Sequence, residues 1–319
     1  MAGPPPPSVS VIVPAYGVAH LVADALDSLI AQNFADWEAI VIDDGAPDDV
    51  ASAVAPYLAD PRIRLVETDN GGISIARNRA IRAARGEFIA LLDGDDCYQP
   101  DYLESMVAAL RADPALGFVT CDATFFGESR VGRRFSEYMP QVEPPTLARV
   151  LRRDFNVFIA SLIRIAAFNE TGGFDEAIRL GEDFDLWLRL FELGWGCGYV
   201  PRALARYRRR AGQATSHALA MRRSLVGIYL ASAARLGSRP EAAIAQAMAH
   251  RTAREVAWEE GETLILRGQA GAGLRILRSA GAWRRSPAWA VAMSVMSVAP
   301  PLARPLLAWR EKSNAAASN

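Results

Sequence analysis

Short apolar runs and helically spaced apolar residues alternate through the first 120 residues. Val9, Val11, Ile12 and Val13 make a strand pattern closed by Pro14, and residues 21–30 then repeat apolar positions at helical spacing. A second run, Ala39-Ile40-Val41-Ile42, ends in Asp43-Asp44-Gly45. A helical pattern over 48–58, a strand at 63–67 and a helix over 73–85 stopped by Gly86 follow. Phe88-Ile89-Ala90-Leu91-Leu92 runs into Asp93-Gly94-Asp95-Asp96, and a helix at 101–111 leads to a strand at 118–120. This alternation predicts an α/β fold whose mostly parallel sheet carries helices on both faces. Ligands of such sheets collect beyond the carboxyl ends of the strands, and both acidic clusters fall there.

The alternation fades over residues 122–180, and a helical pattern returns at 184–193. From about residue 215 the chain is rich in alanine and arginine and wholly helical in pattern. A length of 319 residues is long for one core, so two units are expected, 1–215 built on the sheet and 216–319 helical. The formal net charge of −1 gives no basis for a nucleic-acid partner. Lys312 is the only lysine, which excludes a P-loop lysine, a Schiff-base lysine or a lysine general base from the body of the chain. Cys97, Cys121 and Cys197 share no disulfide or metal-ligand spacing, which points to a reduced, cytoplasmic protein. The proline run at the start has no signal-peptide pattern, and no apolar stretch reaches the roughly 20 residues of a membrane-spanning helix.

Carboxylates as closely packed as those of Asp93, Asp95 and Asp96 repel one another unless a cation lies between them. An all-oxygen ligand set suits Mg²⁺ or Mn²⁺, ions that keep open positions for substrate phosphates. A plain helix cap is the competing explanation, and an aspartate pair after an apolar strand also fits a haloacid-dehalogenase-like phosphatase, whose usual lysine is missing. Asn70-Gly71-Gly72 opens a helix bearing Arg77. Its glycines, Gly72 included, let a ligand approach the backbone, with first-turn N–H groups turned toward anionic oxygens. Glu182 and Asp183 begin another helix, either as a favourable acidic first turn or as a proton acceptor for an attacking hydroxyl. Asp185 lies about 200° around that helix from Asp183 and faces elsewhere.

In order and spacing, residues 9–16, 37–45, 70–81, 86–101, 172–176 and 181–189 resemble the GT-A-fold, family 2 inverting glycosyltransferases, a likeness covering roughly residues 8–210. The resemblance implies transfer of a sugar from a nucleoside-diphosphate donor, UDP-sugar favoured, to a hydroxyl of a glycan or lipid-linked acceptor in polysaccharide or glycoconjugate assembly. Pro14, Ala15 and Tyr16 with Asp44 would hold the nucleoside, Arg77 would sit near base or diphosphate, and Asp93 beside Gly94 would approach the ribose. Asp95 would bind the Mn²⁺ or Mg²⁺ that bridges the diphosphate. Asp183 would be the base, with Glu182 near the acceptor. The family usually has asparagine where Gly17 stands, and histidine after a Tyr-Arg pair. Here Tyr207-Arg208 is followed by Arg209-Arg210, so Arg210 is the expected clamp on the diphosphate. A sugar-nucleotide-binding protein without catalysis is the other reading.

Residues 286–303 carry no charge and are flanked by Arg284, Arg285, Arg304 and Arg310. The expectation for 284–310 is a contact with the inner face of a membrane, a cap on the catalytic unit, or a homodimer contact.

Overall fold

The protein is described by a computed structural model that covers residues 5–210, 218–281 and 287–307. Strand β1 (Val9–Ala15) leads to helix α1 (Val22–Ile30), β2 (Trp37–Asp44) to α2 (Val50–Val54), and β3 (Ile63–Thr68) to α3 (Ile73–Arg82). Then come β4 (Phe88–Leu91), β5 (Cys97–Tyr98), α4 (Tyr102–Ala112), β6 (Leu116–Gly127) and α5 (Leu147–Arg152). The remaining sheet elements are β7 (Leu162–Arg164), α6 (Ile165–Thr171), α7 (Glu182–Glu192) and β8 (Gly196–Arg209). Helices α8 (Ala218–Leu236), α9 (Pro240–Leu266), α10 (Ala270–Ser279) and α11 (Pro287–Val298) follow.

One eight-stranded sheet runs in the order β3-β2-β1-β4-β7-β6-β8-β5. β1, β2, β3 and β4 pair in parallel, so their carboxyl ends share one edge. β7 is antiparallel to both β4 and β6, and β5 is antiparallel to β8, whereas β6 and β8 are parallel. The sheet is therefore mixed. The α/β architecture expected from the alternation is present, with three antiparallel pairings added by strands that the pattern does not show.

Alternate positions of β1 divide between the faces, which is why the run reads as almost continuously apolar. Val9, Val11, Val13 and Ala15 join a cluster with Leu26 and Leu29 of α1 and Leu103 and Met106 of α4. Ala76, Ala80 and Ile81 of α3 are buried outside that cluster. The helix expected over 48–58 is split into α2 and a 3₁₀ turn, Ala55–Ala59, because Pro56 has no N–H for an α-helical bond. Trp187 is buried and lies on Phe118 with ring centroids 5.2 Å apart.

The chain divides into two compact units, Met1–Ser216 with Ala231–Ala245, and His217–Leu230 with Gln246–Asn319. The boundary expected near residue 215 lies outside the described residues. The stretch Ala231–Ala245 belongs with the sheet because Ser232 Oγ donates to Glu192 Oε1 at 2.5 Å and Arg235 forms ion pairs with Glu192 and Asp185.

Candidate active site

Two loops meet where β1 and β4 end. A Cβ on Gly94 would stand 2.9 Å from the Pro14 carbonyl oxygen and 3.1 Å from Val18 Cγ2. Only glycine lets the 93–96 loop lie this close to the 14–18 loop. Ala15 is buried in the latter, and Tyr16 is 54% exposed at its rim. Gly17, where the family has asparagine, adopts φ +67. Its N–H donates to Asp48 Oδ1 at 3.0 Å, and Ala19 N–H donates to Oδ2 at 2.7 Å. Asp48 thus shapes the loop by backbone contacts.

At the end of β2, Asp44 is spent inside its own surroundings. Its carboxylate accepts from Gly71 N at 2.9 Å and Gly72 N at 2.7 Å. Gly71 and Gly72 stand just before α3, so these two N–H groups precede its first turn. Asp44 organises the turn before α3, leaving the N–H groups deeper in the first turn as the helix's exposed donors.

The centre of the site is Arg77, buried on α3. Its Nη2 donates to Asp93 Oδ1 at 2.6 Å and its Nη1 to Glu182 Oε1 at 2.7 Å, joining residues 105 positions apart. Asn78 fixes that meeting from the next position. Its amide donates to the Phe174 carbonyl at 2.8 Å and accepts from Phe174 N at 2.9 Å, tying the Gly172-Gly173-Phe174 turn to α3 just ahead of α7. Arg189 of α7 holds the same turn through the Thr171 and Gly173 carbonyls and pairs with buried Asp185 at 2.7 Å. Asp185 consequently faces away from the site, as its 200° offset predicts.

Asp183 stands beside Glu182 at the start of α7, and its charge acts on both Arg77 and Asp93. One of its oxygens accepts from Phe184 N at 2.7 Å. Glu182 is held by Arg77, whereas among the described residues no ion pair holds Asp183.

Desolvation raises the pKa of Glu182 to about 7, with the neighbouring Asp183 charge adding to the shift and Arg77 opposing it. Desolvation also raises the pKa of Asp93, reinforced by Asp95 and countered by Arg77. A raised carboxylate pKa means that the unfolded chain releases its proton first as pH rises, near 4.5 for Glu182. Stability from this group is therefore highest below pH 4.5, declines toward about 7 and levels off above. Glu182→Gln is expected to flatten that decline. Thermal melts from pH 4.5 to 8 check it, and an unchanged slope in the variant assigns the decline elsewhere.

The loop 93–96 also receives the end of β8. Arg208 N donates to Asp96 Oδ1 at 2.8 Å, and Arg208 Nε donates to the Asp95 carbonyl at 2.7 Å. Buried Asp96 is thus a bracket between two strands, with a pKa pushed well up by desolvation and by the charges of Asp95 and Asp93. Asn78 and Asp48 are supports to which the sequence pattern gives no role, and Asp96 and Arg208, visible there as part of the acid cluster and of a Tyr-Arg pair, prove to be bonded to each other.

Arg210, expected on a diphosphate, pairs instead with Asp95: Nε lies 2.8 Å from Oδ2. The carboxylate expected to hold a metal ion therefore faces a cationic group in this structure. Its oxygen is aimed at positive charge, and Asp93 supplies a second oxygen donor in the same loop. Among the described residues no group of three or more His, Cys, Asp or Glu side chains could hold an ion. The residues fit an ion taking one or two protein oxygens, the rest coming from substrate phosphates and water.

Known proteins resemble this chain in sequence and in fold. Residues 10–173, just over half of the chain, match the sequence profile described as Glycosyl transferase family 2. The succinoglycan biosynthesis protein ExoO of Rhizobium meliloti is 35% identical over 218 residues, 65% of this chain and 62% of ExoO. The chondroitin synthase of Escherichia coli is 30% identical over 190 residues, 59% of this chain and 27% of the synthase. The chain thus spans less than two thirds of either relative. Among solved structures, S. aureus TarS 1-349 in complex with UDP-GlcNAc superposes with TM-score 0.62 at 19% identity, over 84% of this chain and 81% of TarS 1-349. The mannosyltransferase from Pyrobaculum calidifontis in complex with GDP-Man and Mn²⁺ gives TM-score 0.62 at 23% identity, over 95% and 83% of the two chains. These two share the fold. With its GT-A α/β sheet and the profile match across that sheet, the chain belongs to glycosyl transferase family 2.

Proposed function

We propose that this protein is a metal-dependent, inverting glycosyltransferase that moves a sugar from a nucleoside-diphosphate donor to a saccharide hydroxyl of a growing glycan, with catalysis lodged in residues 1–215. The observation that carries this reading is the convergence of Asp93, Asp95, Arg77, Glu182 and Asp183 at the carboxyl edge of a family 2 sheet. Two relatives, a succinoglycan biosynthesis protein and a chondroitin synthase, support polysaccharide assembly as the setting. The phosphatase alternative requires a free aspartate nucleophile, and Asp93 is bound to Arg77.

Asp95, with Asp93 beside it, would hold Mn²⁺ or Mg²⁺, which when bound supplies positive charge against the departing diphosphate. Arg210 exchanges Asp95 for the diphosphate as the donor arrives, so that its charge follows the leaving group. Pro14, Ala15 and Tyr16 line the nucleoside, and Arg77 keeps the carboxylates on either side of it in place. Asp183 takes the proton of the acceptor hydroxyl as that oxygen attacks the face of the anomeric carbon opposite the diphosphate. A single displacement inverts the configuration.

The testing experiment is a screen of nucleotide sugars with Mn²⁺, by thermal shift and then by turnover with glycan acceptors. Stabilisation and transfer with one donor class support the reading; hydrolysis of simple phosphoesters with no response to any nucleotide sugar overturns it. Asp95→Ala is expected to abolish the Mn²⁺-dependent part of donor binding, and Mn²⁺-stimulated activity retained in that variant removes Asp95 from the role. Arg210→Ala is expected to weaken donor affinity, and an unchanged donor Kd removes Arg210 from the diphosphate.

A further inference from the structure

The last described helix is apolar on both sides. Met293 and Met296 of α11 are buried with Ile265, Leu274, Leu277, Ala303 and Leu307 in a small core of the helical unit. On the other side Val291 is 64% exposed, Val295 40% and Val298 89%, and Leu302 and Leu306 follow at 47% and 37%. At about 100° per residue the three valines fall within an arc of about 60°. A helix apolar all round belongs in a protein core or in lipid, and the solvent side of α11 is in neither among the described residues.

Charge says which surface would cover it. Between Glu262 and Glu311 the sequence has no acidic residue and seven arginines, although the whole chain sums to −1. Arg267, Arg275, Arg278 and Arg304 are exposed, and none forms an ion pair with a described residue. Arginines elsewhere in the same unit do find acids: Arg222 pairs with Glu259, and Arg223 with Glu260. A second copy laid on this surface would set one acid-free cationic stretch against another. An anionic lipid surface complements both properties, with apolar side chains entering the interface and guanidinium groups meeting headgroups. No helix among the described residues is long and apolar enough to cross a membrane. The 12 residues of α11 span about 18 Å against a hydrocarbon thickness of about 30 Å, so the contact lies in the membrane plane.

We propose that the helical unit docks on anionic bilayers through Val291, Val295, Val298, Leu302 and Leu306, with the exposed arginines of the same acid-free stretch as the electrostatic component. The test is flotation of the full-length protein with phosphatidylcholine vesicles, with and without phosphatidylglycerol. Binding is expected only to the anionic vesicles and weakens with salt. The exposed substitutions Val295→Asp and Val298→Asp together are expected to reduce binding at least about ten-fold. Arg275→Gln, Arg278→Gln and Arg304→Gln are each expected to reduce it by about five-fold. Circular dichroism and donor-induced thermal shift should match those of the unaltered chain, because none of these residues lies in the site. Three results overturn the proposal: no flotation with anionic vesicles, binding unaffected by the valine substitutions, or concentration-dependent self-association that those substitutions abolish in a protein that never binds vesicles.

Discussion

Replacing Asp183 by asparagine is expected to lower turnover by about 10²- to 10⁴-fold while donor affinity stays nearly unchanged. Asparagine keeps an oxygen for the Phe184 N–H, which Asp183 accepts at 2.7 Å, so the start of α7 keeps its shape. What it loses is the ability to take a proton. The neighbouring Glu182 cannot substitute readily, because its carboxylate is engaged by Arg77 at 2.7 Å. Loss confined to kcat, with donor Kd unchanged by titration, is the signature of a group that acts on the acceptor in the transition state. Near-normal turnover in Asp183→Asn would remove Asp183 as the base, and a matching loss of donor affinity would make it a binding group instead.

The part of the fold legible in the sequence is the part in which local pattern and tertiary role coincide. β1, β2 and β4 are buried on both faces, so their apolar runs stand out, and each ends in a loop whose polarity changes abruptly. β8 is longer than any of them and still escapes notice. It includes Pro201, and its pairing with β6 shifts register at three points, which breaks the period-two pattern of a regular strand. β7 has three residues and gives no periodicity to detect. The helical character of the tail was plain from composition, but its division between units follows from ion pairs such as Arg235 with Glu192.

The site divides similarly. Tight carboxylate clusters at strand ends and at a helix start mark the segments that the fold brings together around Arg77. They do not show how each carboxylate is used, because the partners are distant in sequence. Asp44 is consumed by a turn more than 25 positions later, Asp96 by the backbone of Arg208, and Asp95 by Arg210, 115 positions away. Of six carboxylates that look alike in sequence, Asp44 and Asp96 shape loops, Asp95 meets Arg210, Asp93 and Glu182 flank one arginine, and Asp183 has no ion pair among the described residues. Sequence spacing carries the location of the acid cluster; three-dimensional pairing decides its division of labour.

That division depends on Arg77, and Arg77→Met is expected to destabilise the protein by about 3–5 kcal/mol at pH 8. The guanidinium is 3% exposed, its two terminal nitrogens are committed to Asp93 and Glu182, and its Cζ lies 5.4 Å from the centre of the Phe174 ring. Methionine fills much of the same volume, so the loss arises mainly from charge. Without the arginine, Asp93 and Glu182 would face each other and Asp183 in a desolvated space with no cation between them. The variant can relieve that repulsion only by taking up protons, which is easier at low pH. The loss should therefore shrink by pH 5 and grow toward pH 8, the sign required when the folded state binds protons that the unfolded state has released. Urea-unfolding midpoints of the two proteins at both pH values measure this. Arg77→Lys should fall between them, because an ammonium retains the charge but lacks the planar fork that reaches both carboxylates. A loss equal at pH 5 and pH 8 would show that Arg77 contributes by packing on Phe174, and the acid cluster would then need another source of cationic support.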